Sequence, residues 1–184
     1  ADLARDLAAA FKGHDRIRVR AVILKTEFAS AYETLREAIE RFKPDIVIAF
    51  GVSARSGMIH LESVARNSTG NSPDAAGIIN GPAAIDPGGA ATLASALPLV
   101  DIKKQLDTAG IPAALSNDAG DYLCNYVFYR LMQGTGTPRK AGFIHIPHSD
   151  ETAPRHTGGK PPAMLPRQTL RQAGIAIIEA TLKL

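Results

Sequence analysis

A chain of 184 residues that is 45% hydrophobic can bury one substantial core and is short for two, so a single domain spanning 1–184 is expected. The net charge of +3 is scattered, with no basic run interleaved with aromatics, which argues against a nucleic-acid surface; the longest apolar runs, such as "IVIAF", fall far short of the about 20 residues that cross a bilayer. One cysteine can close no internal disulfide and supply no cysteine-rich metal centre, and with no signal-peptide pattern the expected compartment is the cytoplasm.

In chain order, "DLARDLAAAF" (2–11) reads as a helix and "IRVRAVIL" (17–24) as a strand. "AYETLREAIERFK" (31–43) repeats apolar positions at three- and four-residue spacing until Pro44 stops it, so a helix is expected there. "DIVIAFGV" (45–52) is a nearly continuous apolar run, which suits a strand covered on both faces. "GMIHLESVARN" (57–67) alternates like a strand, and residues 68–89, rich in Gly, Pro, Asn and Asp, read as a long irregular excursion of the kind that lines sites. A helix at 99–110, a strand at 111–117, a helix at 121–133 and a strand at 141–147 follow. "HSDETAPRHTGGKPP" (148–162) is loop-like by composition, and a last helix begins near Leu165 with Pro166 suited to its first turn.

Alternation of strands and helices implies a largely parallel sheet with helices on both faces. In such sheets ligands bind beyond the carboxyl ends of the strands. Cys124 follows the strand "IPAALSN" at a helix start, and His145 ends the strand "AGFIHIP", so both are expected at one edge of the sheet. A helix N-terminus and a neighbouring imidazolium favour a thiolate, the reactive form of cysteine. Cys124 also shares a helical face with Phe128 and Leu131, where a cysteine can be a small buried apolar residue, and a histidine at a strand end can simply be hydrogen-bonded in place. Glu62, in the apolar strand "MIHLES", is the acid best placed to orient an imidazole, its other reading being an exposed carboxylate on an edge strand. Asp118 and Asp121 read as helix caps.

The string "LPLVDIKKQLDTAGIPAALSNDAGDYLCNYVFY" resembles the cysteine segment of the type I pyroglutamyl peptidases, with its serine, Ala-Gly pair, aromatic and Cys-Asn. "GFIHIP" is similar to the family's histidine motif, and "HLESVARN" followed by "SPD" to its glutamate motif, in the same order along the chain. The resemblance runs from about residue 17 to the C-terminus. It implies a three-layer α/β/α sandwich around a twisted sheet, Cys124 as nucleophile, His145 as general base and acid, and Glu62 as the group that orients His145. It further implies removal of N-terminal pyroglutamyl residues from peptides, no metal or organic cofactor, and a homotetramer.

The chain departs from the family pattern in three places. It opens on a helix, without the first strand and Gly/Phe-rich loop that clasp the pyroglutamyl ring, so an N-terminal segment is expected to be missing from it. Ser63 stands where an arginine usually follows the glutamate, and "TGNSPDA" lacks the arginine before Pro-Asp, for which Arg55 or Arg66 could substitute. The histidine pair of "HIPHSDE" has a proline between its members that breaks metal-binding helical geometry, and "GTGTPRK" (134–140) lacks the spacing of a dinucleotide loop. The alternative function is a small-molecule-binding protein on the same fold, in which the three residues survive as packing groups.

Overall fold

Residues with period-3.6 apolar spacing form helices against a central sheet, and the computed structural model describes residues 2–53, 56–134, 138, 140–152 and 163–183. Helix α1 (Asp2–Ala10) buries Leu7, and helix α2 (Phe28–Phe42) buries Phe28, Ala31 and Leu35. Lys43 closes α2 in the left-handed conformation, donating its N–H to the Ile39 carbonyl, before Pro44 forbids continuation. Strand β1 (Ile46–Val52) then enters the sheet. Residues 17–24, expected as a strand, are not one. A strand is held by a neighbour's backbone, and this segment pairs with none among the described residues.

The stretch expected as one strand at 57–67 is two, β2 (Ile59–Glu62) and β3 (Val64–Arg66). Ser63 makes the break. Its N–H and its hydroxyl both donate to the Ser116 carbonyl, while its own carbonyl accepts from Ser95, and the chain passes from the main sheet into a two-stranded antiparallel ribbon of β3 with β4 (Thr92–Ala94). The excursion at 68–89 is pinned by side chains. Asn67 bonds the Asp86 and Gly89 carbonyls and accepts the Asp86 N–H. The Asp74 carboxylate accepts N–H bonds from Ile78, Phe28 and Ala76, which hold it below the usual carboxylate range.

Helix α3 (Leu99–Thr108), strand β5 (Ala113–Ser116), helix α4 (Leu123–Gln133) and strand β6 (Lys140–Ile146) fall where the sequence places them. Short strands β7 (His148–Ser149) and β8 (Met164–Leu165) pair with each other ahead of α5 (Arg167–Leu182), whose N-cap position is Pro166. The main sheet runs in the order β1-β6-β2-β5. β1 with β6 and β2 with β5 are parallel, whereas β6 with β2, at the centre, is antiparallel.

Strand alternation divides the side chains between two faces. Ile59, Leu61, Ile144 and Ile146 point toward α3 and α5, where they form one core with Ile102, Leu106, Leu170 and Ile177. Gly174 lets α1 lie close to α5, since a Cβ there would meet Leu7 Cδ2 at 2.7 Å. Val47, Ala49 and Ala141 point the other way, toward α2 and α4, and Phe143 packs there with Phe128. Helices on both faces give the expected three layers.

Candidate active site

The turn after β5 sets the start of α4. Asp118 accepts the Gly120 N–H, Gly120 takes a positive φ of 81°, and α4 begins at Leu123. Asp118 and Asp121, expected as caps, do not cap it: the N-cap position is Tyr122, without a side-chain cap, because the helix begins five residues past Asp118 and two past Asp121. Cys124 is thus the second residue of α4, half-buried, where backbone N–H groups lack intrahelical partners and the positive end of the helix dipole lies. The next residue, Asn125, is fully buried. Its amide accepts the Arg66 N–H at 2.9 Å and donates to the Arg66 and Ser68 carbonyls at 2.8 and 2.9 Å, clamping α4 to the chain just beyond Glu62.

His145 and Glu62 project from the α4 face of the sheet. Across the antiparallel β2–β6 junction, His145 is opposite His60 and Glu62 is opposite Phe143. Nδ1 of His145 meets Oε1 of Glu62 at 2.8 Å, and Cys124 hydrogen-bonds the same ring, which leaves Nε2 for the sulfur. Glu62 is 1% exposed, on an interior strand, so the edge-strand reading does not hold. Burial disfavours charge on the His145 ring, yet hydrogen bonds with Cys124 and Glu62, and the negative charge of both, outweigh it and push His145 up to about 9. At neutral pH the ring therefore carries its proton between a sulfur and a carboxylate. Such an arrangement can stabilise a thiolate nucleophile and later deliver a proton to a leaving group.

The sequence reading missed the residues that give these groups room. A Cβ on Gly51 would lie 2.9 Å from Cys124 Sγ and 2.7 Å from Phe143 Cζ, so only glycine fits beside the thiol. Phe143 sits edge-on against the His145 ring at 5.0 Å and closes one side of it. Gly51 stands near the end of an apolar strand, a signal for close backbone approach. His60, half-buried and bonded to Ser56 Oγ at 2.6 Å, had no sequence signal of its own. Of the two arginines considered as substitutes, Arg66 bonds Asp118 at 3.2 Å and the Asn117 carbonyl at 3.1 Å, and Arg55 lies outside the described residues. Within "HIPHSDE", His148 lies on β7, and no group of three or more potential metal ligands occurs among the described residues. Residues 135–137 and 139 of "GTGTPRK", and 153–162 of the following loop, also lie outside the described residues.

A family model described as pyroglutamyl peptidase matches residues 3–183. The chain is 39% identical over 143 residues to a pyrrolidone-carboxylate peptidase of Gloeobacter violaceus, covering 76% of this chain and 70% of that protein. It is 37% identical over 161 residues to the protein of that name from Pyrococcus furiosus, covering 84% and 77%. Among solved structures, a single-site variant of pyrrolidone carboxyl peptidase from the hyperthermophile Pyrococcus furiosus superposes with a TM-score of 0.90 at 34% identity, over 99% of this chain and 89% of that one. Pyrrolidone carboxyl peptidase from Thermococcus litoralis gives 0.88 at 28% identity, over 98% and 86%.

Proposed function

This chain belongs to the pyroglutamyl peptidase family and is a hydrolase of that type, and we propose that Cys124 is its nucleophile, His145 its general base and acid, and Glu62 the carboxylate that orients His145. The observation that carries the assignment is the His145 ring held between Glu62 Oε1 and Cys124. Glu62 binds Nδ1 and so fixes which nitrogen faces the sulfur.

The substrate class is a peptide with an N-terminal pyroglutamyl residue. The Cys124 thiolate attacks the carbonyl carbon joining that residue to the rest of the peptide, and the oxyanion is stabilised by backbone N–H groups in the first turn of α4. The imidazolium of His145 gives its proton to the departing amine, leaving a thioester on Cys124. His145, now neutral, takes a proton from water as it attacks the thioester carbonyl, and expulsion of the sulfur releases the acid and restores the thiolate–imidazolium pair. No step requires a metal or organic cofactor. By analogy with the family, the whole of 1–184 acts as one catalytic domain in a cytoplasmic homotetramer. Two features bear on the setting: a lone cysteine that can form no internal disulfide, and the absence among the described residues of any helix long and apolar enough to cross a membrane.

The test is release of a chromogenic amine from a pyroglutamyl amide, with Cys124→Ala and a prolyl amide as controls. Cleavage of the pyroglutamyl amide only, lost in the variant, is expected. A folded protein that binds pyroglutamyl ligands without cleaving the amide would instead establish the small-molecule-binding alternative.

A further inference from the structure

The ribbon of β3 and β4 leaves one edge of β3 without a strand beside it. The Ser63 carbonyl and the Asn67 N–H bond across to Ser95 and Ala91 on the β4 side, so Arg66, at an alternate position, turns its own N–H and carbonyl to the opposite edge. No third strand covers that edge among the described residues. The side-chain amide of Asn125 covers it instead. Its Oδ1 accepts the Arg66 N–H at 2.9 Å, and its Nδ2 donates to the Arg66 and Ser68 carbonyls at 2.8 and 2.9 Å. A neighbouring strand's peptide unit makes the same exchange; here a helix side chain supplies it. The partners force the amide's orientation, since a flipped amide would set its NH2 against the Arg66 N–H and its oxygen against two carbonyls. Further along the same segment the Gly70 N–H donates to the Asp121 carbonyl at 2.6 Å, which extends the seam to the turn ahead of α4.

Asn125 directly follows Cys124, and Arg66 lies a few residues past Glu62, with Ser63 between them fastened to the Ser116 carbonyl. The seam thus joins, by short lengths of chain and hydrogen bonds, the two groups that flank the His145 ring. Much of α4 is held by packing: Leu123, Val127 and Leu131 lie against Phe28, Ala31 and Leu35, and Phe128 against Phe143. Apolar packing resists separation but is non-directional, so it leaves slip along and rotation about the helix axis weakly opposed. Hydrogen bonds are directional, and Asn125, with no exposed surface, makes its three where water does not compete. Tyr129 and Arg130 bond the Ala90 and Ile85 carbonyls, but more than a turn beyond Cys124. The Arg66 guanidinium reaches Asp118 and the Asn117 carbonyl from outside, as a half-exposed pair of the kind that contributes little.

We propose that Asn125 is a positioning residue of this active site: by closing the open edge of β3 it fixes the start of α4 along and about its axis, and so sets the Cys124 sulfur against the His145 ring. The proposal rests on the assignment of Cys124, His145 and Glu62 made above. Asn125 touches no reacting atom. It acts through Cys124 and through the backbone N–H groups of the first turn of α4, whose aim moves with the helix. A displacement of about 1 Å is enough to loosen the sulfur–imidazole contact and can cost about 10²-fold in rate. The titratable groups that interact with this pair are Glu62 on β2, which holds the His145 ring, and Tyr122, just ahead of α4. Asn125 hydrogen-bonds none of them, so its removal acts on the thiol by letting the helix move.

The lone cysteine makes alkylation a report on Cys124 alone. The experiment measures the rate of modification by iodoacetamide between about pH 5 and 10, with kcat and KM on a pyroglutamyl amide, for the wild type, Asn125→Leu and Val127→Ala. Each is measured under conditions where urea titration shows it folded. Val127 is a buried apolar residue of α4 with no part in the seam, so its truncation controls for lost stability. Asn125→Leu keeps a branched side chain of the same length and removes all three hydrogen bonds. Its thiol should titrate near the free-cysteine value of about 8.5, reacting about 10-fold more slowly than the wild type at neutral pH and converging with it at alkaline pH. Its kcat should fall about 10²-fold with KM within about threefold. Val127→Ala should keep the wild-type profile and a kcat within about twofold. An Asn125→Leu profile and kcat that overlay the wild type overturn the proposal. Equal impairment in Val127→Ala overturns it as well, since that pattern reports helix stability alone, and so does a rise in KM without loss of kcat. If Asn125→Leu fails to fold, Asn125→Ser, one atom shorter and with space beside it for water, should show the same changes at smaller size; their absence overturns the proposal. A wild-type thiol that titrates in one step, as free cysteine does, removes the underlying assignment instead and is read before any variant is made.

Discussion

The face of the sheet beneath α5 and the face beneath α4 are made by alternate residues of the same strands, yet they are built differently. Toward α5, Ile59, Leu61, Ile144, Ile102 and Ile177 are fully buried and pack in one apolar cluster. Fully burying each such side chain stabilises by about 1.5–3 kcal/mol, without demanding any one orientation of a neighbour. Toward α4, the same strands bury His145, Glu62 and, with the helix, Asn125 and Tyr129, each with specific partners. Tyr129 gives its hydroxyl to the Ala90 carbonyl at 2.7 Å, and Gln133 reaches Asp86, so the excursion at 68–89 is tied to α4 by hydrogen bonds in addition to packing. One face supplies cohesion; the other spends some of it to fix polar atoms where chemistry needs them.

The sharpest way to break that contrast is to exchange the outcomes of mutation on the two faces. On the α4 face, if His145 has the proposed role, His145→Ala should lower kcat/KM on a pyroglutamyl amide by at least about 10³-fold, because both the thiolate partner and the proton donor would be lost. Its thermal midpoint should change far less than its activity. A residual rate within tenfold of wild type would show that His145 is not the base.

On the α5 face the order reverses. Ile177→Ala removes a side chain with no exposed surface and should destabilise by about 2–5 kcal/mol in urea denaturation. At a temperature where the variant remains folded, kcat/KM should stay within about twofold of wild type. A large activity loss in the folded variant would mean that the two faces are mechanically coupled through β6.

The smallest effect expected is on the pH dependence of stability. His145 is pushed up to about 9 in the folded protein, against about 6.5 in an unfolded chain. Its contribution to stability is therefore fully present below pH 6.5 and is lost as pH rises through 9. In Cys124→Ala, which removes one of the two partners that raise it, the loss should begin at the same pH but finish at a lower one and be smaller in total. Urea midpoints at pH 6, 8 and 10 for both proteins measure this. Identical pH profiles would show that the sulfur does not influence His145.

Several elements were legible because their signals are local. The helix at 99–108 ends near a glycine, Gly110, with a positive φ of 66°, and the strands at 46–52 and 140–146 are apolar runs bounded by Pro and Gly. The strand expected at 17–24 has an equally good local pattern. It failed because a strand exists only if another backbone meets it, and alternation alone carries no information about that. The break at Ser63 was invisible for the same reason, since it depends on Ser116 and Ser95, residues 53 and 32 positions away. Cys124 and His145 could be named from a helix start and a strand end. Gly51 and His60 could not be tied to them, because the contacts that matter cross between strands.

By itself, then, the sequence determined the alternation of strands and helices, the residue types able to do thiol chemistry, and the family whose motifs they resemble, since all of these are written in short stretches of chain. Only the tertiary structure decided that β2 runs antiparallel to β6. That pairing sets His60 beside His145 and brings Glu62 within 2.8 Å of His145. The physical reason is that hydrogen bonds and pKa shifts depend on distances between residues far apart in the chain, and these are fixed only when the strands have paired and the helices have closed over them.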